Sequence, residues 1–277
     1  MRILLTNDDG YKAAGIHALA RALAPFGELT VVAPKYHQSG MSAAVSLGEK
    51  RLVAKDLPDE RPGNWSYLDG TPASCVKFGL EYKYENRNPD LVVCGINHGS
   101  NASAAANYSG TLGAAAEAAI NGRKSVGVSL CDYRPDADFS TVERLLPPLL
   151  KKLLDNWPEG HYGLYYNINF PSLPASEIKG VKVTRQGVGY WVREFEPWIT
   201  ETKPVHGREK DFLWERMADD LEEGEKAYYM AGEFIDGETE SSNADHRLND
   251  EGWITITPCN INLTDLQELQ RLQELDF

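Results

Sequence analysis

The sequence Met1-Arg-Ile-Leu-Leu-Thr-Asn-Asp-Asp-Gly10 is the most informative stretch of this chain. Its apolar run predicts a short buried strand, which is followed by the oxygen-bearing side chains of Asn7, Asp8 and Asp9. Gly10 permits a sharp turn at that point. Two adjacent carboxylates at the end of a buried strand repel each other unless a positive charge lies between them. The stretch therefore predicts a hard divalent cation at the carboxyl end of a first strand. Capping of the following helix by an aspartate is the alternative.

Length and composition limit the class of protein. The chain has 277 residues, of which 42% are hydrophobic, so one large domain can bury a sizeable core. No segment approaches the roughly 20 apolar residues of a membrane span, and we see no signal peptide. The four cysteines lie far apart, which indicates reduced thiols. We therefore expect a cytoplasmic enzyme with no membrane partner.

Negative charge is concentrated in one segment. The formal charge is −13, and residues 193–251 hold 18 acidic and 7 basic residues, a balance of −11 that leaves −2 for the rest. Neither part offers the basic surface that binding to a nucleic acid duplex requires. A small phosphorylated substrate is compatible with this charge, because a bound cation supplies positive charge locally.

Strand and helix patterns alternate through the first part of the chain. Apolar runs predict strands at 3–5, 29–33, 90–94 and 125–130, and helical spacing predicts helices at about 14–26, 109–122 and 139–154. This alternation is typical of an α/β fold with a Rossmann-like, doubly wound, mostly parallel sheet. Further strands are predicted at 164–170, 181–185 and 253–257, and a terminal helix at 263–275. We predict one domain over 1–277, with a nucleotide- and metal-binding core at about 1–160 and C-terminal strands, an arm and a helix at about 161–277.

The acidic stretch from Tyr190 to Asp245 has no clean period. It carries many aromatic residues, namely Tyr190, Trp191, Trp198, Trp214, Tyr228 and Tyr229. A structureless loop of that length is unusual in a compact domain. We therefore predict an extended hairpin or arm that packs on another subunit, with a solvent-exposed or partly disordered insertion as the alternative.

Three loops should converge, since ligands of open α/β sheets bind beyond the carboxyl ends of the parallel strands. They comprise residues 7–10, 38–40 and 95–101. Asp8, Asp9, the Ser39 hydroxyl and the Asn97 amide oxygen would form an all-oxygen shell, which suits Mg²⁺ or Mn²⁺. Zinc is disfavoured, because no cluster of His and Cys has the spacing of a zinc site. We predict one divalent ion per subunit.

A fourth segment supplies hydroxyls and amides. Ser109, Gly110 and Thr111 directly precede the alanine-rich helix, and a helix N-terminus of this kind binds phosphate. Ordinary N-capping is the alternative for Ser109 and Thr111. An anion site beside a cation site is what hydrolysis of a phosphate ester requires. Two features stay open: Gly70-Thr-Pro72 is a helix-start turn or part of the site, and His98 is a proton donor or an exposed loop residue.

In these motifs the chain resembles the survival-protein SurE family of 5′/3′-nucleotidases. The resemblance extends in order over most of the chain, through Arg2-Ile-Leu-Leu-Thr-Asn-Asp-Asp-Gly10, Val32-Ala-Pro34 with Gln38-Ser-Gly40, Gly70-Thr-Pro72, Pro89-Asp-Leu-Val-Val-Cys-Gly-Ile-Asn97, Tyr108-Ser-Gly-Thr111, Asn167-Ile-Asn-Phe-Pro171 and Ile254-Thr-Ile-Thr-Pro258. One loop departs from the family pattern: Ala102-Ser-Ala-Ala-Ala-Asn107 replaces a stretch that usually contains Leu-Gly-Asp. An acidic side chain near the phosphate is therefore missing.

The resemblance implies roles for individual residues. It implies metal ligation by Asp8, Asp9, Ser39 and Asn97, and phosphate contacts from the Asn101 region and from Ser109-Gly110-Thr111. Asn7 and Gly40, in the first two loops, complete the predicted phosphate and substrate contacts. The resemblance also implies a homodimer or homotetramer built by exchange of C-terminal elements.

Together these features predict a metal-dependent phosphomonoesterase acting on nucleoside 5′-monophosphates, with 3′-monophosphates as a further option. Asp8 and Asp9 are the predicted catalytic residues, and water attacks phosphorus directly; an aspartyl-phosphate intermediate is the competing mechanism. A nucleotide-binding protein with little or no turnover and a broader acid phosphatase or exopolyphosphatase are the alternatives. A receiver-type signalling module is disfavoured, because its phosphate-accepting aspartate and its lysine have no counterpart here.

Overall fold

The computed structural model describes residues 1–48, 51–58, 61–84, 88–134, 136–197, 221–222, 224–239 and 243–275. The strands in these ranges are β1 (Arg2–Thr6), β2 (Glu28–Pro34), β3 (Ala54–Leu57), β4 (Asn64–Leu68), β5 (Leu91–His98), β6 (Ser125–Leu130), β7 (Leu164–Phe170), β8 (Val181–Val183), β9 (Gly189–Val192), β10 (Phe195–Pro197), β11 (Tyr228–Met230), β12 (Glu233–Asp236) and β13 (Ile254–Asn260). The α-helices are α1 (Ala14–Leu23), α2 (Pro72–Phe78), α3 (Ala105–Tyr108), α4 (Gly110–Ile120), α5 (Ser140–Asp155), α6 (Asp245–Asp250) and α7 (Leu266–Gln273).

Nine strands form one sheet in the order β3-β4-β2-β1-β5-β6-β7-β13-β8. The six strands from β4 to β7 in this order run parallel, and β3 and β13 pair antiparallel to them. The chain runs from β1 outward through β2 to β4 and then returns to place β5 on the other side of β1, so the strand order reverses beside β1. A crevice forms at such a reversal, beyond the carboxyl ends of the strands. The predicted α/β, mostly parallel, doubly wound architecture is confirmed.

The hydrophobic core lies on both faces of this sheet. Helices α1 and α5 pack together on one face, and α2 and α4 pack together on the other. Alternate residues of β1 enter the two cores, because Ile3 and Leu5 pack in one cluster and Leu4 in the other, all three with no exposed area. Strand β1 is therefore held rigidly on both faces, and so is the start of the loop that follows it.

Most predicted elements are confirmed with small shifts at their ends. The largest shift concerns β5, which continues to His98 because Asn97 pairs with Ser129 after a register shift that begins at Cys94. Asn97 thus lies on a strand and not in a loop, which corrects the sequence interpretation. Helix α1 ends at Leu23 and continues as a 3₁₀ turn that contains Pro25.

The acidic stretch forms an antiparallel ribbon where it is described. Strand β9 pairs with β12, and the adjacent strand β10 pairs with β11, so the chain runs out and returns as a hairpin. The extended-hairpin prediction is confirmed for this part. Trp198 and Trp214 lie outside the described residues, and packing of the arm on another subunit stays a prediction.

Other predictions concern thiols and membranes. Among the described helices, none has the length and apolar character needed to cross a bilayer. The cytoplasmic location and the division of the chain near residue 160 stay predictions. The four cysteines are unbridged, as expected; Cys75 and Cys94 are buried, whereas Cys131 and Cys259 are half-buried. Burial raises the pKa of the Cys259 thiol to about 11, which favours the protonated thiol at neutral pH.

Candidate active site

The loop after β1 presents Asp8 and Asp9 at the crevice. Asn7 has no exposed area, and its Nδ2 donates to the Gly10 carbonyl at 3.0 Å, which closes a tight turn. Gly10 has a φ of +96°, in the region that favours glycine. The helix-cap alternative is wrong for both aspartates, because α1 begins after Ala13 without a side-chain capping hydrogen bond.

Asp8 is a buried carboxyl beside another carboxyl. It is 3% exposed, and Thr111 Oγ1 donates to its Oδ1 at 2.6 Å. Burial, and secondly the charge of Asp9, raises the pKa of Asp8 from its ordinary 3.8 to about 6, although the Thr111 hydrogen bond and His37 oppose that rise. The charged pair is thus unfavourable in the protein alone, as its sequence predicts.

Asp9 connects three segments of the crevice. The His98 backbone N–H donates to Asp9 Oδ2 at 3.2 Å, and His37 Nδ1 lies 3.4 Å from Asp9 Oδ1. The Asp9 side chain is 8% exposed. Sequence reasoning missed His37, although it immediately precedes the Gln38-Ser39-Gly40 segment. The carboxylate therefore lies where the loops after β1 and β2 meet the carboxyl end of β5.

The other two predicted metal ligands differ in how firmly they are held. Asn97 is 8% exposed, and its Nδ2 donates to the Gly99 carbonyl at 2.9 Å, so its Oδ1 is the atom left for a ligand. Ser39 and Gly40 are exposed. In the described part of the chain, Ser39 makes no hydrogen bond to the other three ligands. Its loop is fixed one residue earlier, where the Gln38 N–H donates to the Asp8 carbonyl at 2.7 Å.

The first turn of α4 abuts Asp8. Ser109 caps this helix by accepting from the Leu112 N–H at 3.1 Å, so the N-cap alternative is confirmed for Ser109. By helix geometry, the N–H groups of Gly110 and Thr111 have no partner within α4 and are available to an anion. A Cβ at position 110 would lie only 2.9 Å from Asp8 Cβ. The predicted anion site and cation site therefore share one wall.

Asn101 belongs to a buried amide network behind the crevice. Its N–H donates to Asn169 Oδ1 at 2.9 Å, its Nδ2 donates to Ser129 Oγ at 2.9 Å, and its carbonyl accepts from Asn167 Nδ2 at 2.8 Å. Strands β6 and β7 thus hold this loop. The predicted phosphate contact of Asn101 stays a prediction, as do the substrate contacts of Asn7 and Gly40.

The structure bears on both features that the sequence left open. Thr71 is the N-cap of α2, with Pro72 at the first helical position, and the Thr71 N–H donates to Ser46 Oγ at 3.2 Å. The helix-start interpretation of this motif is therefore confirmed, and the motif also bonds to the segment between β2 and β3 at Ser46. The exposed-loop alternative is wrong for His98, which is half-buried at the end of β5 and packs its ring edge-on against Phe139 with centroids 4.9 Å apart. Its role as a proton donor stays a prediction.

The fold and the site together define a class of protein. It is a Rossmann-like α/β protein that carries an acidic pair in the crevice where the strand order reverses, beside a helix N-terminus suited to an anion. Comparisons with known proteins narrow this class to a family. The model of a family described as survival protein SurE matches residues 3–193. The chain therefore belongs to the survival protein SurE family, and the resemblance seen in the sequence is confirmed.

Individual relatives match over nearly the whole chain. The protein of Cytophaga hutchinsonii named 5′-nucleotidase SurE is 37% identical, covering 98% of this chain and 95% of its own. The protein of the same name from Christiangramia forsetii is 35% identical, covering 95% of this chain and 92% of its own. The crystal structure of the SurE protein from Aquifex aeolicus matches with a TM-score of 0.75 and 30% identity, over 99% of this chain and 100% of that one.

The raised pKa of Asp8 predicts a pH dependence of stability in metal-free protein. Because the folded pKa of about 6 exceeds the ordinary 3.8, the folded state holds this proton more tightly than the unfolded state does. The contribution of Asp8 to the free energy of unfolding should fall by about 3 kcal/mol as pH rises through this window. Urea unfolding in EDTA of wild type and Asp8→Asn measures it. The variant should gain relative stability between these pH values, and a difference independent of pH would contradict the prediction.

Proposed function

We propose that this chain is a metal-dependent phosphomonoesterase that hydrolyses nucleoside 5′-monophosphates to nucleoside and phosphate. The observation that carries the proposal is the contact between the two half-sites, in which Thr111 of the α4 N-terminus donates to Asp8 Oδ1 at 2.6 Å. A phosphate held by the first turn of α4 would thus lie beside the carboxylate pair. The names of the relatives, 5′-nucleotidase SurE, support the nucleotide substrate.

The residues present fit a divalent cation. Asp8 and Asp9 are both nearly buried, and burial with like-charge repulsion raises the pKa of Asp8 to about 6, a cost that a cation removes. Asn7 Oδ1, also buried, has no hydrogen-bond partner within the described residues. We propose that Asp8, Asp9, Ser39 and Asn97 hold one Mg²⁺ or Mn²⁺ ion, since all four offer oxygen. When bound, such an ion withdraws charge from the phosphate and makes water more acidic.

The side chains and amides of the chain then have separate tasks. The N–H groups of Gly110 and Thr111 bind and orient the equatorial phosphate oxygens, whose charge rises in the transition state. The carboxylate of Asp8 or Asp9 orients the attacking water and accepts its proton as the new oxygen–phosphorus bond forms. The bond from phosphorus to the nucleoside oxygen breaks, and that oxygen takes a proton from solvent water. Thr111 and the His98 N–H fix one oxygen of Asp8 and of Asp9, respectively. With both carboxylates also assigned to the cation, attack by water is favoured over an aspartyl-phosphate intermediate.

Phosphate release from a panel of 5′- and 3′-nucleotides, measured with Mn²⁺, with Mg²⁺ and with EDTA, tests the proposal. We expect release from 5′-monophosphates with metal and none above background in EDTA. Nucleotide binding without phosphate release from any substrate would show that the chain is a nucleotide-binding protein. The altered loop at 102–107 is the reason for testing this outcome. The same panel, extended to polyphosphate, gives the substrate range.

We also infer that the chain forms a homo-oligomer through its C-terminal elements. Five leucines spaced three residues apart are exposed by between 36% and 94%, namely Leu263, Leu266, Leu269, Leu272 and Leu275. Within α7, Leu266, Leu269 and Leu272 are successive i,i+3 neighbours and form one apolar face. Packing against the same face of a second copy would bury these leucines in a symmetric interface.

We expect Leu266→Glu combined with Leu269→Glu to lower the mass in solution to that of a monomer. Light scattering after size exclusion measures the mass. Gln270→Glu, on the same helix, adds a charge without removing a leucine and should leave the mass unchanged. A monomeric wild type, or a double variant that stays assembled, would contradict the inference.

A further inference from the structure

Asp245, the first residue of α6, is a fully buried carboxylate outside the crevice. It has no exposed area, and its Oδ1 accepts from three backbone N–H groups: His246 at 2.8 Å, Gly187 at 2.9 Å and Ser103 at 3.1 Å. Two of these donors belong to the C-terminal third. The third, Ser103, lies 142 residues earlier, in the segment between Asn101 and Ser109.

Ser103 is bound by the C-terminal third through three of its groups. Besides the N–H bond to Asp245, its Oγ donates to the Gly187 carbonyl at 3.1 Å, and its carbonyl accepts from Gln186 Nε2 at 2.9 Å. Ser103 is 1% exposed and has a φ of +53°, a conformation that non-glycine residues adopt infrequently. Hydrogen bonds to Gln186, Gly187 and Asp245 thus hold the backbone of the segment around Ser103 in place.

The cluster around Asp245 leaves little room for adjustment. A Cβ at position 187 would come within 2.1 Å of His246 Nδ1, so the backbone approaches this ring closely. Asp245 Oδ2 has no hydrogen-bond partner within the described residues. Burying the Asp245 carboxylate with one oxygen unpaired costs more free energy than burying a neutral acceptor at the same place would. Compared with a neutral acceptor, the carboxylate makes a stronger, charge-assisted hydrogen bond to the Ser103 N–H.

We propose that Asp245 is a positioning residue that sets the geometry of the substrate loop, residues 99–109, through Ser103. This proposal rests on the proposed phosphatase function and deepens it. The loop carries Asn101 and leads into the α4 N-terminus, whereas Asp8 and Asp9 lie on the loop after β1. Asp245 therefore acts mainly on affinity for the phosphate ester, because the loop meets the proposed metal ligands only at its start, where the Gly99 carbonyl accepts from Asn97 Nδ2.

The test compares Asp245→Ala and Asp245→Asn with wild type. We expect kcat/KM of Asp245→Ala for a 5′-nucleotide to fall by about tenfold or more, mainly through a higher KM, because the loop binds phosphate in both ground and transition states. The Mn²⁺ concentration for half-maximal activity should change by less than about twofold. Asp245→Asn keeps an oxygen acceptor and should show partial rescue. Asp250→Asn, at the other end of α6, is the matched control and should behave like wild type.

A purely structural role predicts a different pattern. Loss of folded protein lowers kcat at unchanged KM, and that result with either variant overturns the proposal. Should Asp245→Ala not fold, Ser103→Gly replaces it, because glycine accepts the φ of +53° but lacks the bond to Gly187. Its KM should rise, and an unchanged KM in both Asp245→Asn and Ser103→Gly overturns the proposal.

Amide hydrogen exchange separates this proposal from the proposed function. Exchange over residues 99–109 should be faster in Asp245→Asn than in wild type, whether or not the protein hydrolyses nucleotides. An inactive wild type with this exchange difference would overturn the phosphatase assignment and leave the positioning role in place. Equal exchange in the two proteins would overturn the positioning role.

Discussion

Conversion of Asp8 or Asp9 to asparagine is expected to lower metal-dependent phosphate release by about 10³-fold or more, because each change removes a charge from the proposed metal shell and a candidate base for water. The two variants should retain their local hydrogen bonds. Thr111 can still donate to the Oδ1 of an amide at position 8, and the His98 N–H can still donate to an amide oxygen at position 9. The loss should therefore come from charge and not from collapse of the loop.

The stability of the same variants identifies the cause of the loss. Asp8→Asn removes a buried charge that Asp9 opposes, so in EDTA at neutral pH it should unfold at a temperature roughly 5 °C higher than wild type. Titration calorimetry with Mn²⁺ should show that it binds the ion far more weakly. Asp155→Asn is the matched control, since Asp155 is 57% exposed and pairs with Lys151 at the far end of α5. A stable Asp8→Asn variant with near-normal turnover would exclude the assignment of Asp8 to the metal and the chemistry.

Local patterns in the sequence were sufficient for the core of the fold. Strand β1 and helix α1 were predictable because an apolar run and helical spacing of apolar residues are properties of a few neighbouring residues. Strand β3 was not, since its sequence Ala-Lys-Asp-Leu is exposed at the sheet edge and shows no apolar alternation. It is a strand because it pairs with β4, and this pairing cannot be predicted from the local sequence pattern.

The candidate site divides in the same way. Asp8, Asp9 and the α4 N-terminus were predictable, because paired carboxylates after a buried strand and hydroxyls before a helix are patterns of adjacent residues. His37 and Asp245 were not, since a lone histidine and a lone aspartate acquire meaning only through neighbours distant in sequence. Asn97 was predicted as a ligand but placed in a loop, because the register shift that carries it onto β5 depends on pairing with β6.

Gly110→Ala is expected to reduce phosphate release by about 100-fold, since misplacing a catalytic group by about 1 Å can cost that much. The new Cβ would lie 2.9 Å from Asp8 Cβ and 3.1 Å from Asp8 Oδ2. Carbon atoms do not approach that closely, and Asp8 Cβ cannot move without the β1 loop, because the Asp8 carbonyl accepts from Gln38. Either Asp8 leaves its position or the first turn of α4 retreats, and each change separates the carboxylate from the phosphate-binding amides.

Gly122→Ala is the control for Gly110→Ala, because it lies just past the other end of α4 and meets no atom within 4 Å. Its φ of +66° makes alanine unfavourable by about 1 kcal/mol, so it destabilises the protein without touching the crevice. We expect Gly122→Ala to lower the unfolding temperature and to keep kcat/KM. Gly110→Ala should instead lose kcat/KM and Mn²⁺ affinity together, even well below its unfolding temperature. Wild-type turnover in Gly110→Ala would mean that α4 and Asp8 do not act on the same phosphate. The close contact between Gly110 and Asp8 would then have no role in catalysis.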